Sequence, residues 1–195
     1  RFTHATRVDD LPISNANVNG YEPSLLTLSG GNLAIQSQAG IAYLNPPASS
    51  NNNNQINTLG VGFDNLTKTI SIKSKLLNVV TGIWFGFDED NFVKLDVNNN
   101  NNVELRVERA GVSLNNATDQ VQVNAGASGN DVILEMIINP SSLTVEAFYT
   151  IGSGARTFLA SLSIPANYIT GRDLNGSIGQ TNVSFAGIYA THRSG

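Results

Sequence analysis

Two neighbouring segments restrict the possible folds more than any other feature of this chain. Gly82-Ile-Trp-Phe-Gly-Phe-Asp-Glu-Asp-Asn-Phe-Val-Lys-Leu-Asp-Val97 reads as two β-strands joined by a tight acidic turn, Asp88 to Asn91, and holds the only tryptophan. Val103-Glu-Leu-Arg-Val-Glu-Arg109 follows as a third strand in strict apolar–charged alternation. Successive side chains of a strand point to opposite faces, so this meander has one apolar and one charged face. Such a meander is half of a β-sandwich. Trp84, Lys94, Asp96, Glu104, Arg106 and Glu108 can all project from the face that does not build the core.

The rest of the chain continues the pattern. Short strands are predicted at 25–28, 32–36, 40–43, 59–63, 69–76 and 121–124, and longer ones at 131–138, 143–149, 156–162 and 183–191. Gly30-Gly31, Gln38-Ala-Gly40, Asn139-Pro-Ser-Ser142 and Gly152-Ser-Gly-Ala155 supply turns between them, and Pro165-Ala-Asn-Tyr168 suits one helical turn. Asn45 to Asn54 is a polar low-complexity loop, after which the strand pattern resumes at once. No window keeps a 3.6-residue apolar period. About a dozen strands without a compositional break predict one all-β domain over 1–195, an antiparallel sandwich of two sheets.

Composition excludes several functions. Hydrophobic residues make up 41% of the chain, enough for a core, while charged residues make up 13%, about half the usual share. A net charge of −4 leaves no basic stripe for phosphates, which argues against nucleic acid as a partner. No apolar run approaches the length of a membrane-spanning helix. The absence of cysteine removes disulfides, thiol catalysis and cysteine–zinc sites together. Few lysines, abundant Asn and Thr and an acidic balance point to a secreted, extracellular protein. The abrupt start at Arg1 and end at Gly195 suit a module of a longer chain.

The order Gly31-Asn-Leu-Ala-Ile35, Gly82 to Leu95, Glu104-Leu-Arg-Val-Glu108 and Phe185-Ala-Gly-Ile-Tyr-Ala190 resembles a concanavalin A-like, laminin-G-type jelly roll. The resemblance spans residues 21–191. It is similar to modules of secreted multidomain bacterial proteins and, more distantly, to the C-terminal sandwich of family 43 glycosidases. Such modules accompany carbohydrate-active or adhesive domains. The resemblance therefore implies a non-catalytic carbohydrate-binding or adhesion module, with a polysaccharide or glycan and the neighbouring domains of its own chain as partners. The alternative is a ligand-free spacer that packs against a catalytic neighbour.

The candidate residues divide by chemistry. Glycosidases of this fold use a Glu-x-Asp-x-x-Glu strand, which is absent; Glu104, Glu108, Glu135 and Glu146 do not form it, and His4 and His192 lie near opposite termini. Asp88, Asp90 and Asn91 offer hard oxygen ligands within four residues, and Asp9-Asp10 adds a second acidic pair. Calcium is the ion that such oxygens suit, although an ordinary solvated turn uses the same residues. Sugar recognition needs an aromatic ring flanked by polar groups. Trp84 supplies the ring, with Phe92 and Phe148 as neighbours, and Lys94, Asp96, Arg106 and Glu108 supply the polar groups. Trp84 faces outward if Ile83, Phe85 and Phe87 are core, and inward if the register flips.

The same charges suit a cross-strand salt ladder. Opposing Asp96 to Arg106 and Lys94 to Glu108 across the Asn98–Asn102 turn sets unlike charges face to face, so that register is expected.

Overall fold

A computed structural model of the chain describes residues 6–7, 24, 26–36, 38–39, 59–76, 81–88, 91–98, 100–110, 112, 114, 116–173 and 182–192. The strands are β1 (Thr6–Arg7), β2 (Leu26–Ser29), β3 (Asn32–Ile35), β4 (Gln38–Ala39), β5 (Leu59–Asp64), β6 (Ile70–Leu76), β7 (Thr81–Asp88) and β8 (Asn91–Val97). They continue as β9 (Asn102–Glu108), β10 (Gln120–Asn124), β11 (Val132–Asn139), β12 (Thr144–Ile151), β13 (Thr157–Ser163), β14 (Arg172–Asp173) and β15 (Asn182–His192). One short helix, α1 (Ala166–Thr170), precedes β14.

The strands form the expected two-sheet antiparallel sandwich. The larger sheet runs β1-β5-β15-β7-β8-β9-β10, with β14 and β4 also on β15, and the smaller runs β13-β12-β11-β6. Only β4 pairs in parallel among the described strands. Neither β1, β4 nor β14 was legible as a strand, because two residues carry no alternation; residues 38–39 read as part of a turn. The β2–β3 hairpin stands apart, closed by Gly30 and Gly31 at φ 57° and 79°. That two-residue loop needs positive φ at both positions, which glycine adopts without strain.

The core lies between the sheets. Ile83, Phe85, Phe87, Val93, Leu95, Val97, Val103, Leu105 and Val107 face it from the larger sheet, and Leu76, Val132, Leu134, Met136, Ile138, Val145, Ala147, Ala160 and Leu162 from the smaller. Helix α1 closes one end. Pro165 caps it in extended conformation and Gly171, at φ 75°, ends it by donating to Asn167 O. Tyr168 packs edge-to-face on Phe87 with centroids 5.8 Å apart, and Ser184 Oγ donates to Tyr168 O.

The β8–β9 register differs from expectation. Lys94 stands opposite Arg106, Asp96 opposite Glu104 and Phe92 opposite Glu108, not Asp96 opposite Arg106 or Lys94 opposite Glu108. A slip of two residues keeps every side chain on its face, so alternation does not separate the two registers. The turn does. Asn98 Oδ1 accepts from the amides of Asn100 and Asn102, Asn98 N donates to Asn102 O, and Asn101 takes φ 60°. This short asparagine loop sets the register, and the like charges are relieved by other neighbours: Lys94 reaches Asp96 along its own strand and Glu104 diagonally, and Arg106 reaches Glu104 along its own strand.

Candidate functional site

On the larger sheet, the face turned away from the core is built from five strands. β15 contributes Phe185, Gly187 and Tyr189; β7 contributes Gly86, Trp84 and Gly82; β8 contributes Phe92, Lys94 and Asp96. β9 adds Glu108, Arg106 and Glu104, and β10 adds Gln120 and Gln122. Laterally the rows read Phe185–Gly86–Phe92–Glu108, Gly187–Trp84–Lys94–Arg106–Gln120 and Tyr189–Gly82–Asp96–Glu104–Gln122. On this face, each aromatic residue of β7 and β15 thus has glycine as its neighbour across the strand pair.

The glycine spacing has a structural consequence at Gly82. A Cβ there would lie 2.5 Å from Leu95 O and 2.9 Å from Tyr189 Cε1. With no Cβ in the way, Tyr189 reaches across β7 and donates from its hydroxyl to Asp96 Oδ2 at 2.7 Å. Three strands are tied together by that bond.

The charged residues form one network. Lys94 Nζ donates to Asp96 Oδ2 at 2.7 Å and lies 3.5 Å from Glu104 Oε1. Arg106 Nε donates to Glu104 Oε1 at 3.2 Å, and Gln120 Nε2 donates to Glu104 Oε2 at 2.6 Å. Gln120 is half-buried at its edge, and the charged and aromatic residues of the face are buried: Trp84 is 2% exposed, Phe92 1%, Lys94 4%, Asp96 5%, Arg106 1% and Glu108 0%. Trp84 therefore points away from the core, as it must when Ile83 and Phe85 are core, and is buried nonetheless. Neither sequence alternative combined those two properties.

Burial and pairing set the ionisation. Burial alone would lower the Lys94 ammonium, but the Asp96 and Glu104 carboxylates outweigh it and hold its pKa above the ordinary lysine value. Asp96 is raised, first by burial and then by Glu104 opposite, against the pull of Lys94. Glu104 also feels burial, yet Lys94, Arg106 and the Gln120 hydrogen bond bring it below the usual carboxylate range. Of two facing carboxylates, Glu104 holds the charge more firmly. Tyr189 is pushed well above 10.0 by burial and by Asp96.

Chemically, the charges of this arrangement are spent on one another. Glu104 has donors on both oxygens, so neither is left to attack or to receive a proton from substrate. Glu104 and Glu108, four residues apart on one strand, are separated by about 13 Å of backbone, beyond the spacing of a glycosidase pair. Two polar atoms on the face lack a hydrogen-bond partner: Trp84 Nε1 and Asp96 Oδ1. Each such buried group costs about 1–3 kcal/mol when left unsatisfied, so each calls for a functional or structural reason.

The other candidates are dispersed. Phe148, expected beside Trp84, sits on the outer face of the smaller sheet, opposite Glu135, with the Arg156 guanidinium 3.3 Å over its ring. Asp88 ends β7 opposite Asn91 across a bulge. Asn91 Oδ1 accepts from Ala110 N at 3.0 Å, a turn-fixing bond. Asp90, Asp9, Asp10 and His4 lie outside the described residues, as do the 40–43 strand and the Asn45–Asn54 loop. Among the described residues no group of three or more His, Cys, Asp or Glu is placed to hold a metal ion. Tyr189 and Gln120 are site residues that sequence reasoning missed. Alternation places Tyr189 on the face of Phe185, but its neighbour Asp96 is 93 residues away in sequence.

No protein-family model matches the chain, and no curated protein sequence matches it. Among solved structures, a functionally unknown protein from Saccharomyces cerevisiae superposes with a TM-score of 0.57 at 9% identity, over 87% of this chain and 83% of that one. That likeness is one of fold. A GH43 protein from Bacillus licheniformis overlaps at 0.45 and 12% identity, over 71% of this chain and 26% of that one. Lectin I-B4 from Griffonia simplicifolia overlaps at 0.48 and 10% identity, over 88% and 84%. Overlaps of this size say nothing about what this chain binds.

Proposed function

We propose that this domain is a non-catalytic carbohydrate-binding module of a secreted protein. The observation that carries the reading is a single face of the larger sheet on which Trp84, Phe92, Phe185 and Tyr189 stand beside Lys94, Asp96, Glu104 and Arg106. Aromatic rings set among charged and amide groups are what a sugar requires, with its apolar C–H faces and its hydroxyls. The saturated hydrogen bonding of Glu104 supports binding over hydrolysis.

A second reading is a ligand-free packing domain, favoured by the burial of all six candidate side chains. A glycan array probed with the isolated domain separates the two. The expected outcome is binding to a defined set of glycans that are returned unaltered. Release of shortened products from those glycans would replace binding with catalysis, and an array blank throughout would leave the packing domain.

A further inference from the structure

The face of the smaller sheet turned away from the core carries a row of four side chains: Lys73 of β6, Glu135 of β11, Phe148 of β12 and Phe158 of β13. Phe158 is 55% exposed, and among the described residues it is the only aromatic one left mostly open. It stands on β13, at the edge of the sheet. Phe148 beside it is half-buried and meets it edge to face, with ring centroids 5.4 Å apart.

Simple alternation would have put Phe158 elsewhere. Leu162 and Ala160 face the core, and a period of two would send Phe158 inward after them. The β12–β13 register shifts between Ala147 and Phe148. The extra residue, Leu159, packs against the core, and Phe158 emerges on the outer face opposite Phe148. A bulge re-aims a side chain in this way. A phenylalanine turned out of a core forfeits its burial, which points to a use at the surface.

The surroundings suit one class of ligand. Arg156 lies 3.3 Å over the Phe148 ring and donates from Nε to Glu135 Oε2 at 2.8 Å. Its side chain is 45% exposed, with the remaining guanidinium N–H groups at its tip. In the next row Glu146 stands opposite Ser161, both exposed. The cations Lys73, Lys75 and Arg156 are matched in number by Asp131, Glu135 and Glu146, so the face offers no net charge to a polyanion or polycation. Phe158 is also the one large apolar side chain on it that is mostly open, too little for the apolar centre of a protein interface. An open ring among hydrogen-bonding groups of balanced charge fits a neutral sugar.

Resting on the carbohydrate-binding reading above for its ligand class, we infer that Phe158 is a stacking platform for neutral glycans, separate from the buried rings of the larger sheet. The ring takes the C–H face of a sugar, and Arg156 and Glu146 serve its hydroxyls.

The uniformly ¹⁵N-labelled domain is titrated with the neutral oligosaccharides that bind on the array. Amides of β12 and β13 around Phe148 and Phe158 should shift in a saturable way, while the single indole N–H, that of Trp84, stays in place. Phe158→Ala removes the stacked ring and should weaken binding by about tenfold or more. Phe158→Tyr keeps the ring and should bind like wild type. Because Phe158 builds little of the core, the alanine variant should fold, and its amide spectrum away from β12 and β13 checks that it does. Glycan binding that shifts the larger-sheet resonances instead, that is as tight in Phe158→Ala, or that is confined to charged glycans would overturn the platform and leave the proposed function standing. So would a fall in the hydrodynamic size of the free domain on Phe158→Ala, which would make the ring an interface between copies. If wild type binds no glycan on the array or in titration, the proposed function falls and the platform with it.

Discussion

Lys75–Asp131 on the smaller sheet and Lys94–Asp96 on the larger are ion pairs of equal length, 2.7 Å, in opposite surroundings. The side chains of the first pair are 56% and 46% exposed; those of the second are 5% and 7% exposed. Around the first lie Lys73, Glu135 and Arg156 on a wet face, where water screens each charge and competes for each hydrogen bond. Around the second lie Glu104, Arg106, Tyr189 and Trp84 on a dry one. There, every charge removed from water has to be matched by a partner. Equal geometry thus implies unequal consequences, and a contact distance alone does not rank the two pairs.

The largest expected effect comes from breaking the dry network at its centre. Lys94→Met leaves Asp96 and Glu104 buried without their shared cation and should cost about 3–5 kcal/mol in urea denaturation. Lys75→Met on the wet face should cost no more than about 1 kcal/mol. Equal losses from the two variants would end the distinction between the faces.

Tryptophan gives an effect of similar size by a different route. Trp84→Ala leaves a cavity and should cost about 3–5 kcal/mol. Phe158→Ala on the smaller sheet, where the ring is 55% exposed, should cost well under half as much by the same measurement. A Trp84→Ala domain as stable as wild type would mean that the indole is not enclosed in solution.

An intermediate effect concerns pH. Lys94 and Tyr189 both have folded pKa values raised above their unfolded ones, so the native state keeps two protons that the unfolded chain releases. Their contribution is therefore complete below about pH 10 and is lost as pH rises through the folded values, at about 1.4 kcal/mol per pH unit for each group. Denaturation midpoints between pH 9 and 11 test this with wild type and Tyr189→Phe, and the variant should show a shallower fall. Parallel curves would remove Tyr189 from the linkage. On the acid side Glu104 and Asp96 act oppositely. Glu104, lowered on folding, loses its contribution as pH falls, whereas Asp96, raised on folding, is relieved.

The smallest effect sharpens the wet face itself. Arg156 stacks on Phe148 and donates to Glu135 Oε2 at 2.8 Å, yet its side chain is 45% exposed. Arg156→Ala should cost about 0.5–1 kcal/mol, and raising the salt concentration should shrink that difference. A salt-independent loss would assign the contact to stacking on Phe148.

The amino-acid sequence by itself determined the class of the fold and the membership of each face. Alternation in 82–97 and 103–109 separates Ile83, Phe85, Val93, Leu95, Leu105 and Val107 from Trp84, Lys94, Asp96, Glu104, Arg106 and Glu108, because a strand's side-chain period is two whatever it packs against. It also marked the asparagine turn and the single turn of helix at 165–168. Tertiary structure alone decided the rest. The β8–β9 register was settled by the hydrogen bonds of Asn98, since a two-residue slip leaves the alternation unchanged. Phe148 was carried to the other sheet by the pairing of β12 with β11, which is not visible in local sequence. That the charged face is dry, and that Tyr189 crosses Gly82 to reach Asp96, depends on residues far apart in the chain meeting on one surface. Alternation says which way a side chain points; whether water waits there is a property of the assembled sheets.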